Sequence, residues 1–390
     1  MSTIPVWSPP ATPVPALLPA TVDICVVGGG IAGVALLRAL GGAGRRVALL
    51  ERAGLAAGAS GRNAGFLLAG VADSYVAAVS RHGRTAAREL WALTVANHAR
   101  LLELAGGRPV AHRRAGSLVV PADGEEAGEL AASAQLLGED GFDARLERQP
   151  PEAPRCAFPS LVVPGDGEVD PAAVVGAVAS GVDRAASVHP GLEVLGLEPT
   201  GGSVRVHHSA GEMTAGAAVV AVNAWTGRLL PELGVRAVRA QMQATAPPAP
   251  MAPRGRPVYA RRGFDYWRRI ADGRLLVGGR RDVDRAGEVG DEDRVTAPVQ
   301  DALDRLRADV GGGEEAVGHR WSGAMGFTDD GLPLVGAVPG RPGVLVCAGF
   351  NGHGMGMAVE CARLVAAELV HGRPPPAWLR ASRVAPGGLH

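Results

Sequence analysis

Three glycines, Gly28, Gly30 and Gly33, stand in the run VVGGGIAGVALL at residues 26–37 with the spacing that grips a pyrophosphate. In G-x-G-x-x-G the first glycine permits a tight turn, and the second lets phosphate approach the backbone. The third lets a helix pack on a strand. The phosphates then face the helix N-terminus at Ile31 and Ala32, whose N–H groups lack partners within the helix. Glu51, eighteen residues past Gly33, closes a second apolar strand and can accept from ribose hydroxyls. A lone glycine pattern is weak in a chain with 56 glycines. Here strand, turn, helix, strand and acid fall in register, which points to a dinucleotide.

A second glycine-rich turn lies far downstream. Residues 343–370 read as strand, turn and helix, with Gly349, Gly352, Gly354 and Gly356 freeing the backbone. A helix N-terminus there can point its N–H groups at something electron-rich, such as the N1–C2=O edge of a flavin. The loop after Glu51, GLAAGASGRNAGFL, leans the same way. Its small residues, with Ser60, Arg62 and Asn63, stand where a nicotinamide enzyme would begin its next crossover helix. Gly, Ser and Asn are also ordinary loop residues, so NAD and FAD both stay open on this loop alone.

The elements that must position these residues follow from periodicity. Strands are expected at residues 22–27 and 46–50, with a helix from 31 to about 40. A long helical pattern spans 72 to 106. Residues 113–121 read as a strand and 125–137 as a helix. Asp170 with Pro171 reads as an N-cap followed by the first helical position. Short strands follow at 193–197, 203–208 and 217–222, the last running into Asn223 and Trp225. Residues 236–285 read as strands joined by turns, with Asp272-Gly273 as a hairpin signal. This stretch holds Tyr259 and Tyr266, two of the three tyrosines. Helix is expected again from 293 to about 310.

Length and composition set the class. A chain of 390 residues can bury a sizeable core, as two domains or one elaborated one. Zero formal net charge argues against nucleic acid and acidic membrane surfaces as partners. Every basic side chain is arginine, so no lysine is available for catalysis. Four cysteines show no metal-binding spacing, no metal site is expected, and a reducing cytoplasm fits. The proline-rich residues 1–20 make a poor signal peptide and read as an extended or disordered arm. No stretch approaches the length of a membrane span.

Taken in order, VVGGGIAG, LLER, GASGRNAG, EVDP, AVNAW, WSGAMGFTDDGLPLVG and CAGFNGHGMG carry a resemblance. The chain resembles the D-amino-acid-oxidase-like FAD-dependent oxidoreductases, the group of glycine oxidase, sarcosine oxidase and gamma-glutamylputrescine oxidase. The resemblance runs from about residue 22 to 372, and is strongest to the gamma-glutamylputrescine oxidase branch at residues 60–63 and 351–354. It implies an α/β protein with an interrupted Rossmann-like FAD-binding domain (21–75, 150–235 and 318–390). A substrate domain on a mixed β-sheet would take 76–149 and 236–317. It implies noncovalent FAD, with Glu51 on the adenosine ribose, Arg52 nearby and the backbone near Val194 at the adenine. Ser60, Arg62, Asn63, Ala64 and Gly65 would line the phosphates and ring. Asn223, Trp225 and Gly349 would also contact the cofactor, and Gly352 to Met355 its pyrimidine edge.

The implied chemistry is oxidation of a C–N bond in a primary or secondary amine, by hydride transfer to flavin N5 that gives an imine. His353, Tyr259 and Tyr266 are the candidates to hold the amine. Dioxygen or another acceptor would take the electrons, and a homo-oligomer is compatible with the family. Two departures bear on the substrate. Amino-acid-oxidising relatives commonly place a carboxylate-clamping arginine where this chain has Met325. Either the substrate lacks an alpha-carboxylate, the favoured expectation, or Arg268, Arg262 or Arg320 replaces the clamp. The segment also lacks the cysteine and the chain lacks the lysine by which sarcosine-oxidase-like members attach flavin and react with oxygen. An amino-acid oxidase, or a flavin-bearing subunit of a larger dehydrogenase complex, are the alternatives.

Overall fold

Strand Thr21–Val27 lies between Val47–Glu51 and Gly211–Val220, parallel to both. Its apolar run is nearly continuous because both sheet faces are covered; Cys25, Val26, Leu49 and Val219 are fully buried. Ala186–Pro190 extends the parallel array on one side and Val344–Ala348 on the other, and antiparallel Leu334–Ala337 closes it. Helices Ile31–Gly42, Pro171–Ala179 and Gly354–His371 share one core on one face. Against the other face folds the antiparallel pair Val194–Thr200 and Ser203–His208, continuing from Gly211–Val220. The computed structural model describes residues 3–11, 17–153, 155–182, 185–247 and 253–384.

A second sheet of eight strands stands beside the first. Its order is Val317–Phe327, Arg236–Thr245, Leu275–Gly279, Asp265–Arg269, Val258–Ala260, Ser117–Val120, Ser160–Val163 and Arg145–Glu147. Neighbours are antiparallel except Val258–Ala260 with Ser117–Val120, so the sheet is mixed. The Asp272-Gly273 turn joins two of its strands as the sequence suggests.

Several sequence expectations need correction. Strands Ser160–Val163 and Val317–Phe327 pair in the second sheet, although their positions suggested the first. The helical pattern over 72–106 is two helices, Tyr75–His82 and Arg84–Ala105, broken at Gly83 with φ of 83°. The second of these packs through Leu101 and Ala105 into the core shared by Ile31–Gly42, Pro171–Ala179 and Gly354–His371. Buried Asn97 holds it there. Its Nδ2 donates to the Met355 carbonyl (2.9 Å), and its Oδ1 accepts from the Val359 and Glu360 N–H groups. The helix expected from 293 starts at Ala297. The described part of the N-terminal arm, read as extended or disordered, is docked: Trp7 is buried and its indole N–H donates to the Asn63 carbonyl (2.8 Å). Among the described residues, no helix is long and apolar enough to cross a membrane.

Candidate active site

At the nucleotide end the turn has the geometry its glycines promise. Gly28 has φ of 107°, and a Cβ on Gly33 would sit 1.8 Å from the Gly28 carbonyl oxygen. Helix and strand therefore approach as closely as backbone allows. Glu51 spans the turn: one carboxylate oxygen accepts from the Gly29 N–H (2.7 Å), the other from the Ala53 N–H (2.8 Å). Ser60 Oγ accepts from the Ile31 N–H (2.9 Å) at the start of the helix. That hydroxyl keeps its hydrogen to donate to a phosphate, while the Ala32 N–H belongs to the unpaired first turn. Arg52 lies over the Trp225 ring, 4.2 Å from its centroid. Val194 lines the same end of the cleft.

One cavity of about 650 Å³ runs from this turn to the second sheet, a size ordinary for a cofactor site. Its far end is walled by Tyr259, Tyr266, Met325, His353 and Arg281. Tyr259 and Tyr266 face each other across adjacent strands. A Cβ on Gly278 would stand 2.2 Å from the Tyr266 ring, so glycine is what lets that ring lie flat against its sheet. Tyr266 also meets Phe66 edge-on, with centroids 6.2 Å apart. Between the two tyrosines the chain turns through Arg261, Arg262 and Gly263, all at positive φ. Left-handed conformations at the two arginines cost on the order of 1 kcal/mol each and persist because ion pairs hold both residues.

His353 meets the Tyr259 ring edge-on, with centroids 5.7 Å apart. Burial lowers the imidazole's proton affinity, the Asn351 carbonyl opposes that, and Arg281 adds to it. His353 is therefore neutral at pH 7. Its Nδ1 lies 3.3 Å from the Asn351 carbonyl, which can only accept. The ring hydrogen is thus on Nδ1 and Nε2 carries the lone pair. Burial pushes both tyrosine hydroxyls up, Tyr266 to about 12, so both stay protonated donors.

Other residues singled out in the sequence shape the cleft through their protein contacts. Asn63 ties its own loop: Nδ2 donates to the Ala59 and Ser60 carbonyls and Oδ1 accepts from the Gly65 N–H. Arg62 reaches the Thr3 and Ser322 carbonyls and pairs with Asp293. Asn223 Oδ1 accepts from the Gly349 and Phe350 N–H groups and so ties the segment after Gly211–Val220 to the second glycine-rich turn. Ala64, Gly352, Gly354 and Met355 line the cavity.

The three arginines suggested as a replacement clamp are each paired with an acid outside the cavity lining. Arg268 is buried against Glu168 (3.1 Å) and donates to the Val169 carbonyl. Arg262 pairs with Glu129 and Arg320 with Asp304, and none of the three lines the cavity. Arg281, unnoticed in the sequence among so many arginines, does.

The family model for DAO, FAD dependent oxidoreductase, matches residues 23–368. The chain belongs to the DAO family of FAD-dependent oxidoreductases. The family is FAD-dependent, and the Gly28–Gly33 turn, Ser60 and Glu51 fit that dinucleotide. The probable oxidoreductase OrdL of Rhizobium meliloti is 30% identical over 54% of this chain and 48% of its own length. The chain spans about half the length of the first curated relatives it matches. Glycine oxidase of Geobacillus kaustophilus is 27% identical over 88% of this chain and 92% of that protein. Its crystal structure superposes with a TM-score of 0.76 at 23% identity, covering 92% of this chain and 96% of that one. The gamma-glutamylputrescine oxidoreductase of Escherichia coli is 26% identical over 90% of this chain and 84% of its own. The identities do not set that branch apart from glycine oxidase.

Proposed function

We propose that this DAO-family protein oxidises the C–N bond of a small primary or secondary amine. The observation that carries the reading is the continuity of the cleft. A phosphate-ready helix N-terminus and Glu51 stand at one end, and a neutral histidine faces two protonated tyrosines at the other. FAD held by the Gly28–Gly33 turn, Ser60 and Glu51 would supply the electron sink for hydride from the carbon that bears the neutral amine, and the imine product would hydrolyse in water. The protein's part is to orient and to manage protons. Nε2 of His353, held as the lone-pair nitrogen, accepts a hydrogen from the amine, while the Tyr259 and Tyr266 hydroxyls supply donors on the facing wall. The aromatic lining keeps water from the reacting carbon.

Anaerobic mixing with a panel of small amines tests the reading: at least one should bleach the flavin, and air should restore the colour. No bleaching by any amine or amino acid would sink it. Colour restored only by an added dye acceptor, and not by air, would favour the subunit of a larger dehydrogenase.

The flavin is expected to be noncovalent. Among the described residues no cysteine lines the cleft: Cys25, Cys347 and Cys361 are buried in the core, and Cys156 lies by the Pro121 and Phe158 carbonyls. Acid precipitation should leave all the flavin in the supernatant. Yellow colour retained in the washed pellet would disprove this.

A further inference from the structure

The strand Leu275–Gly279 ends in an abrupt reversal. Gly279 has φ of 113° and Arg280 of 56°, and the Arg280 N–H donates to the Phe264 carbonyl at 2.6 Å. The chain then turns through Arg281–Asp284 at the far end of the cleft. The charges flanking this turn are matched: Arg280 pairs with Asp265 (2.7 Å) and Asp282 with Arg261 (2.6 Å). Arg281 and the exposed Arg285 are the exceptions, and of the two only Arg281 lines the cleft. Among the described residues it makes no ion pair or hydrogen bond, and its guanidinium lies over Phe264 (4.5 Å) and Phe327 (5.7 Å). It lines the same cavity as Tyr259, Tyr266 and His353, close enough that its charge acts on all three. Asp73, the acid that acts on both Tyr259 and His353, is spent on Arg81 (2.6 Å).

We propose that Arg281 receives a carboxylate of the substrate, so that the amine oxidised in this cleft is one that also bears an acidic group. The proposal rests on the amine-oxidation reading above and narrows it. A half-buried cation on an aromatic platform is desolvated without a counter-charge, an arrangement that favours an arriving anion. The planar guanidinium fork suits a carboxylate bidentately, and stacking on Phe264 and Phe327 fixes the plane in which it can be met. Position 325, on strand Val317–Phe327, carries a thioether. The positive charge has instead been placed at the end of Leu275–Gly279, on a different strand of the same sheet. The preference for a substrate without a carboxylate, drawn from Met325 alone, gives way to this arrangement.

The test is binding of small anions to the FAD-loaded protein, followed by the flavin difference spectrum and by calorimetry. The probes are acetate and benzoate, each paired with its neutral amide. Wild type should bind the carboxylates at least tenfold more tightly than the amides. Arg281→Gln should abolish the preference while leaving FAD content and amide binding unchanged, and Arg281→Lys should retain part of it. Should Arg281→Gln fail to fold, Arg281→Lys and the wild-type comparison still decide the matter. Matched substrates give the second arm: an amino acid should reduce the wild-type flavin at least tenfold faster than the amine that lacks its carboxylate. Equal binding of carboxylate and amide by wild type, or a preference that survives in Arg281→Gln, would overturn the proposal. A yellow protein that is bleached by amines but shows no carboxylate preference removes this inference alone. A protein that no amine or amino acid bleaches removes the oxidation reading and this inference with it.

Discussion

Gly30→Val is expected to give a folded but colourless protein. A Cβ at this position would lie 2.9 Å from Ser60 Oγ, the atom that accepts from the Ile31 N–H. The two valine methyl groups would project further, into the space a phosphate must enter to reach the helix N-terminus. Both partners of the phosphates, the N–H groups and the serine hydroxyl, are lost together. Affinity for FAD should fall at least a hundredfold, about 2.8 kcal/mol. The strand and helix themselves are untouched, because Gly30 precedes the helix in extended conformation. The 450 nm absorbance of the purified variant measures bound flavin, and circular dichroism establishes that it is folded. Gly54→Ala, where a Cβ meets nothing within 4 Å, is the control that should stay yellow. A Gly30→Val protein with stoichiometric flavin would sink the assignment of this turn to the phosphates.

Glu168→Gln should be strongly destabilising, although it lies outside the apolar cores. Glu168 is fully buried on the two-residue strand that pairs with Phe66–Leu67. Its carboxylate meets Arg113 (2.9 Å), Arg268 (3.1 Å) and Arg254. Burial raises its proton affinity, but Arg268 and Arg113 outweigh that, so it stays ionised. Burial also lowers the proton affinity of Arg268, which Glu168 opposes. Removing one carboxylate leaves a fully buried guanidinium unpaired, which costs roughly 3–5 kcal/mol. For a chain of this size the melting temperature should fall by about 5 °C. Glu139→Gln removes an exposed partner of Arg84 and should leave the melting temperature nearly unchanged. Glu168→Gln combined with Arg268→Met should recover part of the loss. A Glu168→Gln protein that melts within a degree of wild type would show that water or a neighbour already compensates Arg268.

Much of the cofactor end was legible because its information is local. G-x-G-x-x-G, the apolar strands around it and Glu51 lie within one stretch of chain, and each residue's role follows from backbone geometry. The same holds for Asp170, whose side chain caps the helix at Pro171 as its type and position indicate. The substrate end was read less completely. Strand Val317–Phe327 contains Ser322-Gly323-Ala324, which carries little β signal, and its place comes from pairing along Arg236–Thr245. Asn97 looks like any polar residue in a helix. Only the approach of Gly354–His371 reveals that it anchors the start of that helix.

By itself the sequence determined the dinucleotide turn, the second glycine-rich turn and the order of motifs that marks the family, since short-range spacing is enough to specify strand, turn and helix. The tertiary structure decided which charges are spent and which are free. Arg268, Arg262 and Arg320 are neutralised by Glu168, Glu129 and Asp304, acids distant in sequence. Arg281 stands without an acid at the cleft because the Gly279–Arg280 reversal turns it toward Phe264 and Phe327. The physical reason is that pairing of charges depends on distances of a few ångströms between remote segments, and residue type carries no record of them.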